Sequence, residues 1–247
     1  MSMSKYVALL LAAGMTAFAT TASYAEDSPH EFSANVALTT DYRFRGISQS
    51  NEDPSISGGF DYTHSSGFYV GVWAGSLDFA VPDPDDADIE IDYYGGFSGE
   101  IGNGIGWDIG GLYYAYPGSD TGSADYDYFE VYGSLSYDFG NFDIAAGIAY
   151  SPDYFFESDD GIYVYGDVGI PLPSGFAISG HVGHQSIDDN AQFGTPDYTN
   201  WSIGISKDLS IFSFDLSYLD TNMSSADCFG GGDICDGTVI FSISSSF

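Results

Sequence analysis

Apolar and polar residues alternate with a period of two along most of this chain, and glycine-rich turns break the alternation at regular intervals. Successive side chains of a strand point to opposite sides of its sheet, so such alternation predicts strands whose two faces meet different surroundings. Twelve runs read this way: Phe32–Gly46, Ser55–His64, Phe68–Phe79, Ile89–Ile101, Ile105–Tyr116, Tyr128–Asp138, Phe142–Tyr150, Gly161–Ile170, Phe176–Ser186, Tyr198–Ser206, Ile211–Leu219 and Thr238–Phe247. In Ile211–Leu219 the pattern is clean, with Phe212, Phe214, Leu216 and Tyr218 against Ser213, Asp215 and Ser217. The first run sets Phe32, Ala34, Val36, Leu38, Tyr42 and Phe44 against Asn35, Thr39, Asp41, Arg43 and Arg45. In Phe68–Phe79 both faces are apolar, which leaves its orientation open.

The connections alternate as well. Short turns at Ser65–Gly67, Gly102–Gly104, Phe139–Asn141, Pro171–Gly175 and Lys207–Ser210 take turns with longer acidic segments such as Ala80–Asp88, Ser151–Asp160 and Asp220–Gly237. Bacterial outer-membrane barrels are built with short turns at one end, long loops at the other and an even number of strands of about 9–11 residues. Phe68, Phe142, Phe176 and Phe212 follow short turns, and Phe247 ends the last run at the same level, as an interfacial aromatic girdle would. A terminal strand that pairs with the first closes the sheet and leaves no backbone edge in lipid. The expected fold is therefore all-β: a twelve-stranded antiparallel transmembrane β-barrel with short periplasmic turns and longer acidic extracellular loops. Its expected location is the outer membrane of a Gram-negative bacterium.

The front of the chain changes the domain picture. Lys5, the uncharged apolar run Val7–Ala19 and the small-x-small triplet Ser23-Tyr24-Ala25 read as a cleaved export signal over residues 1–25, leaving residues 26–247 as the barrel. Charge then narrows the partners. With 36 acidic residues against 4 basic ones, the formal net charge is −32, which repels nucleic-acid phosphates. Outside the signal the basic residues are Arg43, Arg45 and Lys207 alone. Cys228 and Cys235 are the only cysteines, and past an export signal a disulfide between them is the expectation.

The segment Ser33–Ser50, SANVALTTDYRFRGISQS, and the later GFYVGVWAGS within Ser57–Phe79 resemble the TorF-type porin family of proteobacterial outer-membrane proteins. The resemblance extends to SKDLS at Ser206–Ser210 and implies a β-barrel and a pore, without a substrate. Ser245 departs from the closing pattern of such proteins, where a larger apolar residue is expected.

If the apolar faces meet lipid, strand parity places Asp41, Arg43, Arg45, Asp61, Glu90, Asp92, Glu100, Asp108, Glu130, Asp143, Asp167 and Asp215 along the lumen. An acidic wall concentrates cations, so the expectation is a passive pore for small hydrophilic solutes, cations preferred. Arg43 and Arg45 read either as a constriction or, the favoured reading, as braces for lumen acids. Tyr69, Trp73, Tyr163 and Tyr165 are candidates to plug the interior. The run Asp83, Asp85, Asp86, Asp88 lacks EF-hand spacing and reads as solvated charge rather than a metal site. No cofactor is expected. The expected partners are outer-membrane lipid, small solutes or cations, and the barrel-assembly machinery through the strand ending at Phe247. The rival classes are a closed barrel acting as a receptor or adhesin through its loops, and an outer-membrane lipase. Against the lipase, no Gly-x-Ser-x-Gly elbow is present, and His181 and His184 fall on opposite faces of one strand. The chain is expected not to be an enzyme.

Overall fold

The structure, a computed structural model, describes residues 28–79, 87–119 and 125–247, so the expected signal over residues 1–25 lies outside the described residues. Strand β1 (His30–Thr39) is followed by a small hairpin of β2 (Arg43–Phe44) and β3 (Ile47–Ser48). Then come β4 (Ser55–His64), β5 (Phe68–Ser76), β6 (Ile89–Ile101), β7 (Ile105–Ala115), β8 (Tyr128–Asp138), β9 (Asp143–Ser151), β10 (Gly161–Leu172), β11 (Phe176–Ile187), β12 (Tyr198–Leu209), β13 (Phe212–Thr221) and β14 (Thr238–Ser246). All but β2 and β3 form one closed antiparallel barrel in chain order. A single-turn helix, α1 (Asn190–Phe193), is the one α-helix among the described residues.

Closure comes from β1 pairing with β4 on one side and β14 on the other. The β1–β14 ladder runs from Asn35↔Ser246 to Thr39↔Ser242. It is extended by a reciprocal pair of backbone bonds, Phe247 N–H to the Ala34 carbonyl at 2.9 Å and Ala34 N–H to the Phe247 carbonyl at 3.1 Å. Ser245, the departure from the usual closing pattern, is buried and its hydroxyl donates to the Ile211 carbonyl at 2.8 Å.

Period-two alternation becomes an inside and an outside. On β7, Ile109 is 63 % exposed while Leu112 and Tyr114 are buried, and on β12 Ile203 is 55 % exposed between inward positions. The same odd–even split runs round all twelve barrel strands, producing a continuous outer belt of Ile, Val, Leu and Phe. A belt of that extent is stable against hydrocarbon rather than water. The open orientation of β5 resolves with Tyr69 buried inside and Val70 exposed outside. At the short-turn end Phe68, Phe176, Phe212 and Phe247 are exposed on the belt, and the Lys207 ammonium sits 4.5 Å from the Phe176 ring centre.

Two expected strands were too long. β5 stops at Ser76 rather than Phe79. The first stops at Thr39 rather than Gly46. Tyr42 and Phe44, expected on the lipid face, instead lie inside: Tyr42 is buried and Phe44 meets Tyr114 edge-on, ring centres 5.6 Å apart. The physical reason is a two-residue turn. Arg45 (φ 47°) and Gly46 (φ 90°) both adopt left-handed backbone, pairing Arg43 with Ser48 and Phe44 with Ile47. That is the geometry of a primed hairpin turn, and Gly at its second position carries no penalty there.

Candidate pore lumen and its septum

The inward faces divide the lumen into two zones. Towards the short-turn end the wall is polar and half-buried. Asp61 on β4, Asp108 on β7, Asp167 on β10 and Asp215 on β13 all point inward, as parity expects. Glu100 and Asp143 share that parity but sit exposed at the short-turn rim.

Tyrosines tie two of these acids to strands two places away in the barrel. Tyr94 donates to Asp61, and Tyr69 donates to Asp108 at 2.8 Å while meeting the Tyr132 hydroxyl at 2.6 Å. Asp167 lies 2.7 Å from Nδ1 of His181, whose Nε2 is 2.7 Å from the Tyr163 hydroxyl. His184 turns outward to Thr199, so the two histidines occupy opposite faces as expected. The rings find room because glycines on adjacent strands carry no side chain. A Cβ on Gly147 would lie 2.1 Å from the Tyr165 hydroxyl.

Towards the long-loop end the lumen is filled. Tyr114, Tyr198, Gln185, Glu90, Glu130 and Asp92 are all fully buried. The filling is completed by the segment 40–54, which folds into the barrel rather than continuing the wall. Asp41, Arg43 and Arg45 therefore belong to this inserted loop, not to the strand wall on which they were expected. Arg45 reaches across the lumen, donating to Gln185 at 2.7 Å and to Glu130 at 2.8 Å. Its guanidinium also lies over the Tyr163 ring at 4.3 Å and the Phe44 ring at 4.6 Å.

Tyr42 from the same loop donates to Glu90 at 2.9 Å. Asp92 lies one inward position along β6 from Glu90, near enough for the two carboxyl groups to share a hydrogen bond when one of them is protonated. At this level the lumen holds three buried carboxyl groups, Glu90, Asp92 and Glu130, and of these Glu130 pairs with the Arg45 guanidinium. We call this layer the septum.

Arg43 locks the inserted loop to a second one. It pairs with Asp41 at 2.5 Å and Glu52 at 2.9 Å, and donates to the carbonyls of Ile234 at 2.6 Å and Asp236 at 3.2 Å. Ser48 N–H adds a bond to the Ile234 carbonyl at 2.9 Å. Cys228 and Cys235, flanking Ile234, are joined by the expected disulfide and are both fully buried. Both arginines are thus ion-paired and hydrogen-bonded.

Of the acidic run Asp83, Asp85, Asp86, Asp88, the first three lie outside the described residues, and Asp88 is exposed. Among the described residues no group of three or more His, Cys, Asp or Glu is placed to hold a metal ion. Parity placed the wall acids. It did not reveal the tyrosine partners or the inserted hairpin, whose signals were the excess length of Phe32–Gly46 over a spanning strand and the Arg45-Gly46 pair.

A model of the family described as "Bacterial protein of unknown function (Gcw_chp)" matches residues 23–247. None of the curated proteins matches the chain. Among solved structures, the KdgM porin in complex with disordered oligogalacturonate superposes with a TM-score of 0.59 at 6 % identity, covering 87 % of this chain and 99 % of that one. The NanC porin gives 0.55 at 10 % identity, covering 87 % and 98 %. The COG4313 outer membrane channel from Pseudomonas putida F1 gives 0.50 at 10 % identity, covering 90 % and 96 %. At these identities the likeness is one of fold: a closed antiparallel barrel of the outer-membrane porin and channel kind.

Proposed function

The chain belongs to the Gcw_chp family, whose function is unknown, and from its barrel we propose an outer-membrane channel that passes small hydrophilic solutes, cations in preference to anions. The long acidic loops face the cell exterior and the short turns the periplasm. The observation that carries this reading is the charge on the inner surface. The strand wall contributes Asp61, Glu90, Asp92, Asp108, Glu130, Asp167 and Asp215, while the two lumen arginines enter only on the inserted loop and are already paired. Lys207 shares the outward parity of Ile203 and Ile205 and contributes nothing to the lumen. Such a wall raises the local cation concentration and repels anions. The resemblance of Ser33–Ser50 to TorF-type porins supports the pore, though not its selectivity.

Conduction requires the septum to part, so the inserted loop is the gate of this proposal. Reversal potentials in planar bilayers under a salt gradient test it. Cation preference is expected, and anion preference overturns the selectivity.

The filled septum favours a second reading, a closed barrel that acts as a surface receptor or adhesin through its loops. Liposome swelling separates the two. Entry of a small sugar supports the channel. Absence of swelling by both the native protein and a variant whose septum has been loosened supports the receptor.

A further inference from the structure

Above the septum, at the long-loop end, lies a cavity of about 370 Å³ that the channel reading leaves unused. It is built by the inserted loop, residues 152–160, α1 and the disulfide-bonded loop 222–237. More than half its lining residues are aromatic, among them Phe79, Tyr116, Phe155, Phe156, Phe193 and Phe229. Several of the rings pack on one another edge to face beside this space: Phe155–Phe156 at 4.3 Å and 64°, Tyr116–Phe155 at 5.4 Å and 74°, Phe79–Phe155 at 5.9 Å and 69°. Two of the ring-bearing residues sit in left-handed backbone, Phe156 at φ 68° and Phe229 at φ 46°. A bulky side chain there costs roughly 1–3 kcal/mol, a strain that collects at sites where ring placement matters.

The charge on the lining narrows the ligand. Asp233 is the one charged side chain among the lining residues, and no basic residue is among them. An anion would find no counter-charge and would approach a chain of net charge −32. A sugar would find few polar partners, chiefly Ser48, Gln49, Asn51 and Asp233. A space lined by many aromatic residues, with a single carboxylate and no basic group among its lining residues, suits a desolvated organic cation.

We propose that this cavity binds a small alkylammonium cation, a quaternary ammonium group seated among the rings of Phe155, Phe156, Phe193 and Phe229 with Asp233 beside it. The site stands whether or not the barrel conducts, because it lies on the outer side of the septum. Equilibrium binding reads it, whereas ion flux reads the channel, so failure of one leaves the other intact.

Titration calorimetry of the detergent-solubilised protein with choline chloride tests the site. The control is dimethylbutanol, choline's neutral isostere, in which a tert-butyl group replaces the trimethylammonium. Choline is expected to bind at least about tenfold more tightly than the isostere, the gap that one or two desolvated cation–π contacts supply. Phe155→Leu, which keeps apolar volume and removes a ring, is expected to weaken choline by about tenfold and leave the isostere nearly unchanged. Should that variant misfold, as gel mobility of the unheated barrel would reveal, Asp233→Asn on the exposed rim serves instead, with a smaller loss expected for choline alone. Equal affinity for choline and isostere, or no heat with choline in the native protein, overturns the proposal.

Discussion

Gly46 shows how much of the septum rests on one backbone position. Its φ of 90° already excludes most side chains, and a Cβ there would lie 2.7 Å from Thr221 Cγ2 and 2.9 Å from Asn200 Cβ. Gly46→Ala is expected to cost roughly 1–3 kcal/mol, spent on unseating the hairpin rather than unfolding the barrel. Single-channel recording checks it: open events become longer or more frequent than in the native protein. Arg45 and Glu130 form a buried pair, so either alone is a liability. Arg45→Gln is expected to destabilise the barrel by about 3–5 kcal/mol, and Glu130→Gln in the same chain to restore most of the loss. Urea unfolding in lipid vesicles, run as a double-mutant cycle, measures both. The faces of Asp61, Asp108, Glu130, Asp167 and Asp215 were legible from alternation alone, because parity is a local property. Their partners were not. Tyr94 reaches Asp61 on a strand two places away in the barrel, and that meeting depends on the stagger between strands, which no single run encodes.

At the level of elements, eleven of the twelve expected runs lie on barrel strands within a few residues, and the failure at the first is instructive. Asp41, Tyr42, Arg43, Phe44 and Arg45 keep the two-residue rhythm of β1 after the chain has left the wall. The rhythm is equally satisfied by a hairpin that buries Tyr42 beside Glu90 and sends Arg45 to Glu130. What distinguishes the two is length and the Arg45-Gly46 turn, not alternation. The inserted hairpin is clamped from above by the disulfide-bonded loop through Arg43 and Ser48. Closing so short a loop by a disulfide is worth about 2 kcal/mol. Reducing the purified protein with a phosphine is therefore expected to loosen the clamp and raise open probability in bilayers, while the barrel stays folded by gel mobility. Unchanged gating after complete reduction would show that the carbonyl bonds from Ile234 and Asp236 suffice.

Across the whole molecule, the ordinary arrangement of a water-soluble protein is reversed: the belt is apolar and the interior carries acid and tyrosine. That inversion was the part most readable in advance, since net charge, alternation and even strand count all point the same way. A charge in the belt should be costly only in lipid. Ile203→Lys is expected to lose about 2–4 kcal/mol in vesicle unfolding experiments, and the lumen-facing Ser202→Lys far less. Equal losses would mean that the outer surface does not meet hydrocarbon. The same inversion sorts the three tryptophans. Trp107 and Trp201 take the outward parity of β7 and β12, whereas Trp73 lies inside against Tyr42, ring centres 5.5 Å apart. With Trp107 and Trp201 exchanged for phenylalanine, the remaining indole becomes a native fluorophore beside the hairpin. Its emission colour then reports the hairpin's withdrawal in real time, with no dye or electrode.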